Sequence, residues 1–224
     1  MTMSGMSLDL QILNLLAALL LLLSFSMLAQ RRIVTLVNLL ATQGALLCAA
    51  TALLAWRTGE SHLYASAALT LALKVIGLPW LLHRLIRKLG VYWETEPLIN
   101  PSGTMLIGLG VVIFAFGLAQ PISALASTAT RSAIGIAIAV ILLAFLTMIT
   151  RRKAMSQVIG FLSMENGLFF GAMSTTYGMP MVVELGIALD VLVAMLVLGV
   201  FFFQIREQFD GLDLHHLETL KEEQ

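Results

Sequence analysis

Seven times along this chain an apolar run approaches the roughly 20 residues that an α-helix needs to cross the hydrocarbon core of a bilayer. The runs are Leu8–Ala29, then 33–56, 62–85, 104–125, 131–150, 155–176 and 181–205. Between them stand breakers or charge: Gln30-Arg31-Arg32, Arg57-Thr58-Gly59-Glu60, a longer link over 84–103, the four residues STAT, Arg151-Arg152-Lys153, and a turn at Tyr177-Gly178-Met179-Pro180. In lipid every backbone polar group must be satisfied within the segment, so runs of this length are helices. The fold class expected is an all-α integral membrane protein of seven transmembrane helices. Composition agrees, with 59% hydrophobic and 12% charged residues against about 25% charged in soluble domains.

Lysine and arginine set the orientation, because they stay on the cytoplasmic side. With seven spans, Arg31, Arg32, Arg84, Arg87, Lys88, Arg151, Arg152, Lys153, Arg206 and Lys221 share one face, and only Arg57 and Arg131 take the other. The N-terminus is therefore expected outside and the C-terminus in the cytoplasm. The first run is not a signal peptide in pattern: Asp9 precedes its core and the arginines follow it. It reads as a retained first helix.

Several function classes are disfavoured. The lone cysteine, Cys48, makes no internal disulfide, and no cluster has the spacing of a zinc or iron–sulfur site. His62 and the His215-His216 pair lack a third ligand at metal spacing, and His83, beside Arg84 at the cytoplasmic end of its run, reads as interfacial. No nucleophile–base arrangement stands at either interface, and nothing suggests nucleic acid. The expected partners are lipid and protein, with no cofactor and no metal.

Four strongly polar side chains sit near mid-depth on four different runs: Gln43, Lys74, Glu165 and Asp190. An ionisable group at that depth costs several kcal/mol unless it is answered, and marks function by default. Desolvation disfavours the charged form of such groups, which brings proton exchange within reach of neutral pH. A lateral proton relay is one reading. A buried pair of Lys74 with one carboxylate that merely fixes packing is the other. Glu184 starts the last run just after Pro180, as a helix cap or an outer port. Small residues mark packing faces: Gly160, Ser163, Gly167, Gly171 and Ser174 on the sixth run, and Gly103, Gly110 and Gly117 at seven-residue spacing on the fourth. On the sixth, Glu165 lies about 140° round the helix from Gly160, so one side packs while another presents the carboxylate. Tyr92, Trp93, Glu94 and Glu96 read as an interfacial anchor with acidic decoration. The acidic tail is a solvated short helix or a dock for a cytosolic partner.

The segment from Arg151 to Phe170, with Arg151, Arg152, Ile159, Gly160, Met164 and Asn166, resembles a stretch of the K-type subunit of respiratory complex I and the C-type subunit of multisubunit cation/proton antiporters. There a glutamate directly follows Ile-Gly-Leu; here Leu162 follows Ile159-Gly160-Phe161, and Glu165 comes three residues later, within about 60° of the same face. The three runs over 131–205 match that small subunit. With four more runs before them (1–130) and a tail after them (206–224), the chain is similar to the hydrogenase-4 component E family of complex-I-like, energy-converting hydrogenases. The resemblance implies a non-catalytic membrane-arm subunit of a larger oxidoreductase complex in the cell inner membrane. Its implied neighbours are antiporter-like and quinone-site-like membrane subunits and cytoplasmic iron–sulfur and nickel-iron subunits. It carries a proton-path role to Glu165, and with a gap allowed to Asp190; Lys74, Gln43 and Glu184 rest on the residues alone. A cation/proton antiporter subunit and a structural anchor for the peripheral arm are the alternatives.

Overall fold

The computed structural model describes residues 8–59, 61–89, 100–123, 128–176 and 199, and every regular element among them is helical. The helices are α1 (Leu8–Ala29), α2 (Ile33–Thr58), α3 (Ser61–Thr70), a π-helical segment (Leu71–Gly77), α4 (Leu78–Leu89), α5 (Pro101–Ser123), α6 (Thr128–Thr150) and α7 (Ala154–Thr176). Five stretches are long and apolar enough to cross a membrane: Leu8–Ala29, Ile33–Thr58, Leu63–Lys88, Pro101–Pro121 and Ser132–Thr150. These correspond to the first five expected runs. Apart from residue 199, the seventh run, with Asp190 and Glu184, lies outside the described residues, as do the acidic tail and Tyr92, Trp93, Glu94 and Glu96.

Helix α7 has 23 residues, enough to span, yet it is not among those apolar stretches. Its composition is the reason: Gln157, Glu165, Asn166 and three serines dilute the apolar residues. Of these, Ser156, Ser163, Glu165 and Asn166 are buried inside the bundle, so the polar side of α7 faces protein.

Two boundaries move. The STAT connection is mostly helix, since α6 starts at Thr128. The link expected from residue 84 onward is helical through Leu89, and the next helix begins at Pro101, where proline's missing N–H costs nothing in a first turn. Helix α2 ends at Gly59, whose φ of 71° closes an αL cap and whose N–H donates to the Ala55 carbonyl at 2.9 Å.

Among the described residues, packing follows the small residues on α7 and is not seen at Gly110 and Gly117 on α5. On α7, a Cβ added at Gly160, Gly167 or Gly171 would stand 2.7 Å from Met148, 2.8 Å from Val140 and 2.9 Å from Ala137 respectively. All three neighbours are on α6, so these glycines let the two backbones approach. On α5, nothing among the described residues lies within 4 Å of a Cβ at Gly110 or Gly117. The glycine that admits neighbours there is Gly108, where a Cβ would meet Leu28 at 2.6 Å and Phe25 at 3.2 Å. A seven-residue spacing names a face of a helix but not what the face meets.

Arg151 also departs from a plain orientation signal. It is 4% exposed, and its Nη2 donates to the carbonyls of Met27 at 3.1 Å and Leu28 at 3.2 Å. It thus satisfies the orphan carbonyls at the end of α1, where a cation also suits the helix dipole. The Gln157 amide donates back to the Arg151 carbonyl at 3.0 Å. Arg151→Lys keeps the charge and loses the fork, and is expected to cost about 1–2 kcal/mol, read as earlier unfolding in a detergent titration.

Candidate functional site

Two apolar clusters fill the bundle, one towards each end. The first contains Leu20, Leu47, Leu54, Leu63 and Phe170; the second contains Met27, Leu40, Leu82, Ile159 and Leu162. Between them a polar layer runs across the helices. Along α1 it falls between Leu20 and Met27, along α2 between Leu40 and Leu47, and along α7 between Leu162 and Phe170.

At the centre of the layer Lys74 Nζ lies 2.7 Å from Glu165 Oε1, with the two residues 4% and 1% exposed. Lys74 Nζ also donates to Asn166 Oδ1 at 3.2 Å. Asn166 Nδ2 donates to Gln43 Oε1 at 3.4 Å, Gln43 Nε2 to Ser24 Oγ at 2.8 Å, and Ser24 to the Leu20 carbonyl at 2.9 Å. Every donor in this string points away from Lys74 and every acceptor points towards it. The two amide dipoles therefore stabilise a cation at Lys74, and the string ends on a backbone carbonyl of α1. The Phe169 ring lies with its centroid 5.3 Å from Nζ, a cation–π contact one turn beyond Glu165.

Local geometry explains how lysine reaches this place. Gly77 and Pro79 come shortly after it in the chain. Proline has no N–H and its ring presses on the carbonyl four residues back, which disrupts the α ladder. The chain takes up the disruption as a wider turn over Leu71–Gly77, closed by the Leu78 N–H on the Leu73 carbonyl. Each residue added to a turn rotates the remainder of the helix by about 100°, and π turns are frequent at functional positions. Opposite stands Gly44: a Cβ there would be 3.1 Å from Lys74 Cβ and 3.2 Å from its carbonyl oxygen. Glycine next to Gln43 thus lets the π segment lie directly on α2.

The layer joins three of the residues singled out from sequence: Lys74 and Glu165 directly, and Gln43 through Asn166. Asp190 and Glu184 lie outside the described residues. Asn166, Phe169 and Ser24 are in the layer although depth reasoning passed over them. Phe169 is at i+4 from the glutamate, a same-face spacing, and Asn166 adjoins it in the chain; Ser24, near the end of its run, had no such signal. His83, expected at the interface, is half-buried, with Nδ1 2.7 Å from the Pro79 carbonyl. No group of three or more His, Cys, Asp or Glu suited to a metal ion exists among the described residues.

Phe169→Leu removes the ring but leaves the charges. The expected cost is about 1–2 kcal/mol in a detergent titration, combining a desolvated cation–π contact with a modest volume loss.

Fold and site together define an all-α membrane protein organised around a buried lysine–glutamate pair. No family model and no solved structure matches the chain. An uncharacterized protein of Mycobacterium tuberculosis (strain ATCC 25618 / H37Rv) is 39% identical over 194 residues, covering 86% of this chain and 88% of the relative. Hydrogenase-4 component E of Escherichia coli (strain K12) is 28% identical over 186 residues, covering 83% of this chain and 81% of the relative. The Shigella flexneri protein of that name gives the same figures. The chain belongs to one family with the mycobacterial protein and is a homologue of hydrogenase-4 component E.

Proposed function

We propose that this chain is a membrane-arm subunit of a complex-I-like, energy-converting hydrogenase, and that its polar layer takes part in redox-coupled proton translocation. In this reading it crosses the cell inner membrane seven times, with the N-terminus outside and the C-terminus in the cytoplasm. It works beside antiporter-like and quinone-site-like subunits and beneath cytoplasmic iron–sulfur and nickel-iron subunits. It needs no cofactor of its own. The observation that carries the reading is the Lys74–Glu165 contact of 2.7 Å, held between two apolar clusters with both residues buried, in a homologue of hydrogenase-4 component E.

Within the layer the roles divide by chemistry. Lys74 and Glu165 each exchange a proton, and the short hydrogen bond between them has a charge-separated form and a neutral form. A change of charge on a neighbouring subunit shifts the balance between these forms, which is how a field is converted into proton movement. Gln43 and Asn166 carry no exchangeable charge; they orient and stabilise Lys74, so Gln43 is a positioning residue of the path. Asp190 and Glu184, on the last run, would extend the path to a further span and to the outer face.

Mild detergent extraction of the tagged chain tests the assignment: iron–sulfur and nickel-containing proteins should travel with it. Glu165→Gln should leave that assembly intact while abolishing proton uptake coupled to hydrogen turnover. Copurification with cation/proton antiporter subunits and no metalloprotein would overturn the hydrogenase reading. An assembled Glu165→Gln complex that still moves protons would overturn the relay.

A further inference from the structure

Helix α4 changes character along its exposed side. Ile76, at the end of the π segment, is 62% exposed, and Trp80 one turn on is 59% exposed. Arg84, Arg87 and Lys88 come next, all exposed. The Arg84 guanidinium lies 5.4 Å from the Trp80 ring centroid, so the indole holds one cation in place. Trp80, Arg84, Arg87 and Lys88 line a single open groove of about 520 Å³. It lies at the end of the bundle where α1 stops, α2 begins and Arg151 caps α1. The opposite side of α4 is committed, since Leu78, Leu82, Leu85 and Ile86 are buried in the core.

From the geometry we infer that this groove binds the headgroup of an anionic phospholipid. Arg84 and Arg87 line one concavity together with Lys88, so the ligand that suits it is an anion. The order of side chains picks the source. An apolar residue, then an amphipathic aromatic, then cations, along one side of a helix that is apolar enough to span, follows the gradient from acyl chain through interface to phosphate. A free phosphate or an acidic protein surface has no use for the exposed Ile76 and Trp80 below the cations. Lipid at this place would brace α4, and through it the π turn that holds Lys74. The inference stands on the groove alone and does not depend on the proton-path reading.

The full-length chain, reconstituted into nanodiscs of mixed phosphatidylglycerol and phosphatidylcholine and then extracted in mild detergent, tests this by mass spectrometry of the retained lipid. Wild type should retain phosphatidylglycerol over phosphatidylcholine, and rising salt should weaken the preference. Each of Arg84→Gln, Arg87→Gln and Lys88→Gln should lower retention about fivefold, while the paired Arg84→Lys and Arg87→Lys change keeps most of it. Should a glutamine variant fail to fold, the salt series and the lysine variant still decide the matter. Equal retention in folded glutamine variants overturns the proposal. So does occupancy by inorganic phosphate that displaces no lipid, or loss of a soluble partner protein with lipid retention unchanged.

Discussion

Lys74→Met destabilises the protein by about 3–5 kcal/mol, because it leaves the Glu165 carboxylate buried without its cation. The pair is 2.7 Å apart with both side chains nearly inaccessible, so water does not replace the lost partner at low cost. The double change Lys74→Met with Glu165→Leu behaves differently. Removing both charges also removes both desolvation penalties, and buried pairs replaced by apolar residues are often neutral or even stabilising. Stability in a detergent titration is therefore expected to return close to wild type in the double variant, while proton movement coupled to turnover stays absent. That combination separates the two readings the sequence leaves open. A pair that only fixes packing predicts recovery of both properties; a relay predicts recovery of stability alone.

How much a sequence reveals depends on what each of its signals measures. Apolar length locates a helix, and the first six runs appear as helices within a few residues of their expected ends. Depth within a run put Gln43, Lys74 and Glu165 at one level because depth depends only on distance along a helix, 1.5 Å per residue. Which groups touch at that level depends on rotation, which composition does not report. The π turn at Leu71–Gly77 has its cue in Gly77 and Pro79, but an inserted residue and a simple kink share that cue. Gly110 and Gly117 show the same limit from the other side: their spacing is regular, yet no neighbour among the described residues approaches them. Arg151 is the clearest case. As a cation between two runs it counts towards orientation, while its hydrogen bonds to Met27 and Leu28 depend on α1 ending beside the α6–α7 connection, a tertiary fact.

Gly44→Leu is expected to cost about 3 kcal/mol, at the upper end for overpacking, and to abolish coupled proton movement without altering any polar group. The neighbours of a Cβ at Gly44 are Lys74 Cβ at 3.1 Å and the Lys74 carbonyl oxygen and carbon at 3.2 and 3.3 Å. Two of those three are backbone atoms, so the added side chain cannot be accommodated by turning a rotamer; the π segment itself must move off α2. Lys74 then leaves both Glu165 and the Asn166–Gln43 string, which are anchored on α7 and α2 rather than on the π segment. Gly44→Ala asks for a displacement of only a few tenths of an ångström, so it should retain most of the stability and show a graded loss of coupling. A series Gly, Ala, Leu at this position thus varies the separation of the pair at constant chemistry. If coupling falls in step with side-chain volume while the complex stays assembled, the contact itself carries the function; if coupling is flat across assembled variants, the path does not run through Lys74.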